Sequence, residues 1–186
     1  MRGSISAILF ALASSASAFT VWDNYGYWDG NVTNGWLAQN QKFTPPAPDN
    51  TLVHWQFAMD AAAGGLTMEF RIEEVSGGIP NGTIVYSAPF VSPTGGGDVI
   101  FTGLNVSLDP SKTYAAIVDF KGYSGYSIHF TGTDVVPGNG MWWSGASWSD
   151  YPTLDQKLHA EFVPEPATLL AFSCGLALLA RRLRKS

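Results

Sequence analysis

The sequence predicts an all-β protein: a jelly-roll-like β-sandwich, preceded by an N-terminal signal peptide and followed by one C-terminal transmembrane helix. Three observations lead there. Apolar and polar residues alternate with a period of two in several stretches, which puts one face of each stretch in a core and the other in water. Clusters of Gly, Pro, Asn, Asp and Ser separate those stretches roughly every 8–12 residues, the spacing of short strands in a sandwich. The two ends differ from the middle, with a basic-then-apolar start and an apolar-then-basic finish.

Residues 1–18 come first. Arg2 supplies a positive charge, Ile5 to Ala13 is apolar apart from Ser6, and Ala16-Ser17-Ala18 is a small-residue cleavage site. That order is the pattern of a secretory signal peptide. Cleavage is expected after Ala18, so the mature body begins at Phe19 and runs to Phe162.

Within the body, Leu66, Met68, Phe70 and Ile72 alternate with Thr67, Glu69, Arg71 and Glu73. Further rows are Val53, Trp55 and Phe57; Tyr114, Ala116, Val118 and Phe120; Tyr126, Ile128 and Phe130; and Leu158, Ala160 and Phe162. Thr83 to Phe90 and Asp98 to Leu104 are short and rich in β-branched and aromatic residues. Turn signals fall at Gly64-Gly65, Ser76-Gly77-Gly78, Asn81-Gly82, Ser92 to Gly97, Asp109 to Lys112 and Gly122 to Gly125. Thr44 to Pro48, with three prolines, reads as a loop. Asp60 to Ala63 reads as a short helical turn at most.

Charge excludes some partners. Five basic and fourteen acidic side chains leave residues 19–162 at −9. Such a surface repels phosphate backbones, so no nucleic acid is expected as a partner. The body holds no cysteine, and Cys174 lies in the apolar tail, so the core must suffice without disulfides.

Catalytic signals are lacking. The three histidines, His54, His129 and His159, sit between apolar residues on separate stretches, and alternation points them to wet faces. No metal or acid–base cluster is expected from their spacing. Glu73 and Glu74 are adjacent and so face opposite ways, a poor start for a two-carboxylate glycosidase. No nucleophile elbow, phosphate loop or dinucleotide fingerprint occurs. Asp23, Asn24, Asp29 and Asn31 in WDNYGYWDGN offer oxygens to Ca²⁺. Their spacing is not that of an EF-hand, and solvated turn residues are the plainer alternative. No cofactor is therefore expected.

Aromatic residues stand out instead. Among the seven tryptophans, Trp55 has core spacing. Trp142, Trp143, Trp148 and Tyr151 lie in GMWWSGASWSDYP, interleaved with Ser, Gly and Asp. Flat rings beside small polar groups can stack on sugars and bond their hydroxyls. These four residues are the candidate polysaccharide-binding set. The alternative is that they cap the end of the core.

Residues 163–186 form the last segment. Pro164 and Pro166 break it from the sandwich. Ala167 to Ala180 is uncharged and mostly apolar, and Arg181, Arg182, Arg184 and Lys185 follow. A helix over about 167–183 is expected. Its fourteen uncharged residues would span ~21 Å, short of the ~30 Å hydrocarbon layer. Leucines and Phe172 favour insertion by roughly 2–4 kcal/mol in total, and Thr168, Ser173 and Gly175 erode that, so the hold is temporary. The basic cluster would stay on the cytoplasmic side.

This end resembles the PEP-CTERM sorting signal of Gram-negative bacteria. The matching residues are Val163-Pro164-Glu165-Pro166, the apolar helix, and the basic stop Arg181, Arg182, Arg184 and Lys185. The resemblance implies recognition by an exosortase, a membrane-embedded protease-transpeptidase for which this chain is the substrate. It also implies an association with exopolysaccharide. The body loosely resembles sandwiches found ahead of such tails, through Phe43-Thr44 and the stretch Gly103 to Tyr114. The expectation is an exported, non-enzymatic surface or matrix protein, held at the inner membrane until processed and then released to the cell surface or beyond. A carbohydrate-active hydrolase is one alternative, marked by two carboxylates in an aromatic cleft. A purely structural or adhesive module, with no groove, is the other.

Overall fold

The computed structural model describes residues 19–165 apart from 34, 62, 133 and 135. The described residues form thirteen strands and one 3-10 turn. In chain order the strands are β1 (Thr20–Asp23), β2 (Asn31–Thr33), β3 (Ala38–Phe43), β4 (Thr51–Ala61), β5 (Thr67–Ser76), β6 (Ile79–Val91) and β7 (Gly97–Ser107). There follow β8 (Tyr114–Asp119), β9 (Tyr126–Thr131), β10 (Gly140–Trp143), β11 (Trp148–Tyr151), β12 (Asp155–Gln156) and β13 (Leu158–Val163). The expected signal peptide and the expected membrane helix over 167–183 lie outside the described residues. Among the described residues no helix is long and apolar enough to cross a membrane.

Two antiparallel sheets make a β-sandwich. Sheet one has the order β1-β13-β4-β9-β12, with β7 also on β4 and β2 also on β9. Sheet two runs β11-β10-β3-β8-β5-β6. Alternation explains the core. Met68, Phe70 and Ile72 on β5, Tyr114, Ala116 and Val118 on β8, Ile128 and Phe130 on β9, and Leu158, Ala160 and Phe162 on β13 are all buried in one cluster. Each large side chain removed from water stabilises the fold by about 1.5–3 kcal/mol. Aromatic rings meet directly between the sheets, Phe70 on Phe101 at 4.5 Å and Trp22 on Phe43 at 5.9 Å.

Three local expectations are corrected. On β4 the inward row is Leu52, Trp55, Phe57 and Met59, not Val53, Trp55 and Phe57. The pairing of β4 with β7 shifts between Leu52 and His54; such an irregularity lets an extra residue reverse the alternation. Asp60 and Ala61 extend β4 rather than starting a helical turn. The turn after β5 is Gly77-Gly78, both with positive φ. Asn81-Gly82 lies inside β6, where the pairing with β5 slips around Glu73.

β3 carries polar side chains into the sandwich. Gln39 Oε1 accepts from the Ile128 amide at 2.7 Å. Gln41 Oε1 accepts from the Gln156 amide at 2.7 Å, and its Nε2 donates to Asp155 at 2.9 Å. These bonds tie sheet two to β9 and β12 of sheet one. A satisfied buried amide costs little, whereas an orphaned one costs about 1–3 kcal/mol.

The first and last strands are neighbours. Thr20 pairs with Phe162 and Asp23 with His159. Val163 ends β13 opposite Thr51 of β4. Beyond it, Glu165 accepts from Ser107 Oγ at 2.7 Å and Asn50 Nδ2 at 2.9 Å. Those two bonds hold the Glu165 carboxyl below its ordinary range.

Candidate functional site

The hairpin of β10 and β11 sorts its aromatic residues by alternation. Adjacent strand residues must face opposite sides, so Trp142 and Trp143 part company. Trp142 turns inward, is 1% exposed, and stacks on Phe130 at 5.0 Å. Tyr151 lies across its edge at 3.7 Å. Trp142 is thus a core residue and cannot be an exposed sugar platform, which corrects that one member of the set expected from GMWWSGASWSDYP. Tyr151 stays 37% exposed at the end of β11.

Trp143 and Trp148 take the outer face. They are direct cross-strand partners, 5.4 Å apart and tilted by 44°. The connecting loop is closed by the Ser144 amide donating to Ser147 O at 3.1 Å. Gly145 sits there at φ +95°, where a side chain would be strained and its Cβ would stand 3.0 Å from Leu37 Cδ1. Both rings cover Ala38, Ala115 and Ile117, a small apolar cluster on the outer face of β3 and β8. β8 is therefore buried on both sides.

Strand register extends this into a row. Trp148 faces Trp143, which faces Ala38, which faces Asp119, which faces Glu69. Five strands thus put two indoles at one end of a line and two carboxylates at the other, all on one face. Arg71 lies one alternation along β5 from Glu69. Its Nε donates to Glu73 at 2.5 Å and its Nη1 to Asp119 at 2.7 Å. Glu73 also accepts from the Gly82 amide at 3.1 Å, a contact made by the slipped β5–β6 pairing. Lys121 bonds Glu69 and lies 3.7 Å from Asp119. Together these side chains border a groove of ≈ 480 Å³, with Leu37, Trp143 and Trp148 on its apolar side and Arg71, Glu73, Asp119 and Lys121 on its polar side. Beside the row, Asn40 is fully buried, with neither amide atom bonded to a described residue.

Electrostatics fix the charge states. Burial pushes the Asp119 carboxyl up, but its bonds from Arg71 and the Lys121 amide, with both charges, hold it below the ordinary range. The bonds from Lys121 and Ser87 hold Glu69 low as well. A glycosidase needs one carboxyl kept protonated as a general acid. Asp119 and Glu69 are driven the opposite way.

The other predicted residues are placed as follows. Asn24 is buried, with its oxygen bonded to the Leu158 amide at 2.7 Å and its nitrogen to Gln156 O at 2.8 Å. Both of its amide atoms are thus engaged by the backbone of β12 and β13, so Asn24 is not the solvated turn residue of the plainer alternative. Among the described residues no group of three or more His, Cys, Asp and Glu could hold a metal. The histidines do reach the outer face of sheet one, but not open water in every case. His129 is 9% exposed beneath Trp28, whose ring stacks on it at 4.4 Å. His54 and His159 meet edge to face at 5.1 Å. Val163 and Glu165 of the sorting motif are placed above and Pro164 lies half-buried between them, whereas Pro166 and the basic stop Arg181, Arg182, Arg184 and Lys185 lie outside the described residues.

His159 bridges β1 and β13 through Asp23 at 3.1 Å and Glu161 at 3.0 Å. Burial lowers its proton affinity, but the bonds to Glu161 and Asp23 outweigh that and raise the pKa. A raised histidine stabilises the fold below its unfolded value near ~6.5, and that contribution is lost as pH rises through the folded value. His159→Gln should therefore flatten the decline in thermal stability above that pH. Equal slopes in wild type and variant would rule out the bridge.

No family model and no curated protein matches the chain. Among solved structures the chain resembles the cysteine protease and lectin-like domains of Cwp84, a surface layer associated protein of Clostridium difficile, with a TM-score of 0.50 and 14% identity. The match covers 72% of this chain and 33% of that one. At such low identity the likeness concerns the fold alone.

The residues that sequence reasoning overlooked at this site are Arg71, Asp119, Lys121 and Leu37. One signal was present: Glu69, Arg71 and Glu73 fall at alternate positions, which puts acid, base and acid on one face of a strand.

Proposed function

We propose that this chain is an exported, non-enzymatic surface or matrix module that binds polysaccharide in the groove between the Trp143–Trp148 pair and Arg71. The carrying observation is the cross-strand row that sets two outward indoles level with ion-paired carboxylates. Indole faces match the C–H faces of a pyranose, and the paired charges supply both donors and acceptors for its hydroxyls. A jelly-roll-like sandwich suits this use. The lectin-like part of the protein named above supports the assignment, as does that protein's surface layer. The presence of a groove weighs against a flat adhesive module. The held-down carboxyls weigh against hydrolysis.

Delivery follows from the tail. The segment from Val163 acts as the sorting signal, an exosortase is its partner, and the inner membrane holds the chain through the helix expected over about 167–183 until processing. Mass spectrometry of the mature C-terminus in a host with and without an exosortase tests this. Replacing Arg181, Arg182, Arg184 and Lys185 by Gln should leave unprocessed chain in the wrong fraction. The same mature C-terminus in that variant would refute the sorting assignment.

A further inference from the structure

We infer that the Trp143–Trp148 groove selects an uncharged, hydroxyl-rich sugar unit and rejects uronate, sulfate and phosphate groups; this rests on the polysaccharide-binding proposal above. Both cations in the groove are already engaged. Arg71 is bonded to Glu73 and Asp119, and Lys121 to Glu69 with Asp119 nearby. Three carboxylates therefore surround two cations, leaving an excess of one negative charge beside the apolar wall.

An anionic ligand would have to displace a carboxylate from the guanidinium while the remaining ones repelled it. The body as a whole, at −9 over residues 19–162, has a field of the same sign. Displacement is also opposed locally. The Glu73 side chain is 8% exposed, and separating it from Arg71 would strand a desolvated charge.

A neutral diol meets none of these costs. Arg71 spends Nε and Nη1 on its carboxylates, and neither bond uses Nη2, so an N–H of the planar fork remains for a hydroxyl oxygen. A neighbouring hydroxyl can donate to Asp119, whose ionised oxygens are acceptors only. The tilted indoles then take the apolar side of the ring. One sugar unit thus finds a donor, an acceptor and an aromatic wall without a net charge of its own.

Affinity electrophoresis of the full chain in Triton X-100 tests this, using gels cast with dextran, xylan or galactomannan and gels with polygalacturonate or alginate. Retardation is expected in at least one neutral gel and in neither uronate gel. Trp148→Ala should weaken that retardation by at least about tenfold, and 50 to 500 mM NaCl should leave it nearly unchanged. Trp148→Leu keeps apolar cover on Ala38 and Ile117, so a loss in this variant too marks the ring and not the fold. Retardation by a uronate gel that fades with salt would overturn the neutral assignment and leave polysaccharide binding intact. Retardation in no gel would overturn both.

Discussion

Trp142→Ala should cost about 3–5 kcal/mol of stability, the range for truncating a fully buried large aromatic. For a domain of this size that corresponds to a fall of roughly 6–20 °C in Tm. The cause is local. Trp142 fills the space between Phe130 and Tyr151 at one end of the sandwich, and truncation leaves a cavity that neighbouring strands cannot close. Its Nε1 is buried without a partner among the described residues, so Trp142→Phe gives up no hydrogen bond and should cost well under the alanine value. Trp148→Ala, one turn of the hairpin away but outward, should change Tm by a small fraction of that. Urea melts of the three variants decide it. A Trp142→Ala protein as stable as wild type would mean that the ring is not in the core.

Arg71→Ala is the second large expectation. It leaves Glu73 and Asp119 facing each other with no cation between them. Removing one partner of a buried pair costs about 3–5 kcal/mol, and the 17% exposure of Arg71 puts the expectation near the lower end. Adding Glu73→Gln should recover part of that loss, because the stranded charge is then gone. A double-mutant cycle measures the coupling. The pH dependence has a definite sign. A carboxyl held low, like Asp119, stabilises the fold above its unfolded value near ~3.9 and ceases to do so as pH falls through the folded one. Arg71→Ala removes most of that contribution. The gap between variant and wild type should therefore be widest near neutral pH and shrink on acidification. A gap that widens in acid would contradict the ion network.

How much of this was readable in the chain varies by strand, for physical reasons. β5, β8, β9 and β13 were legible because their inward residues are apolar and strictly alternate. β3 was not, since its inward residues include Gln39 and Gln41, whose polarity is satisfied only by β9 and β12, far along the sequence. β10 and β11 are four residues each, too short to display a period, and their Gly and Ser read as loop. The aromatic cluster was visible as a cluster, but not its division between an inward Trp142 and an outward Trp143 and Trp148. That division depends on whether residues 142 and 143 lie in a strand. Arg71 could be seen on a wet face. Its bond to Asp119 could not, because 48 residues separate them and only the β5–β8 register brings them together.

The position of β13 has a mechanical meaning. It lies between β1 and β4, and its last residue is two positions from a carboxylate fastened to Ser107 and Asn50. For a chain tethered by its C-terminal end, any tug enters the domain through this strand. A force directed along β13 loads the hydrogen bonds on both its flanks together, in shear, instead of unzipping them one after another. Glu165 is itself fastened to the sandwich, so a pull arriving at that residue passes directly into the middle of the sheet.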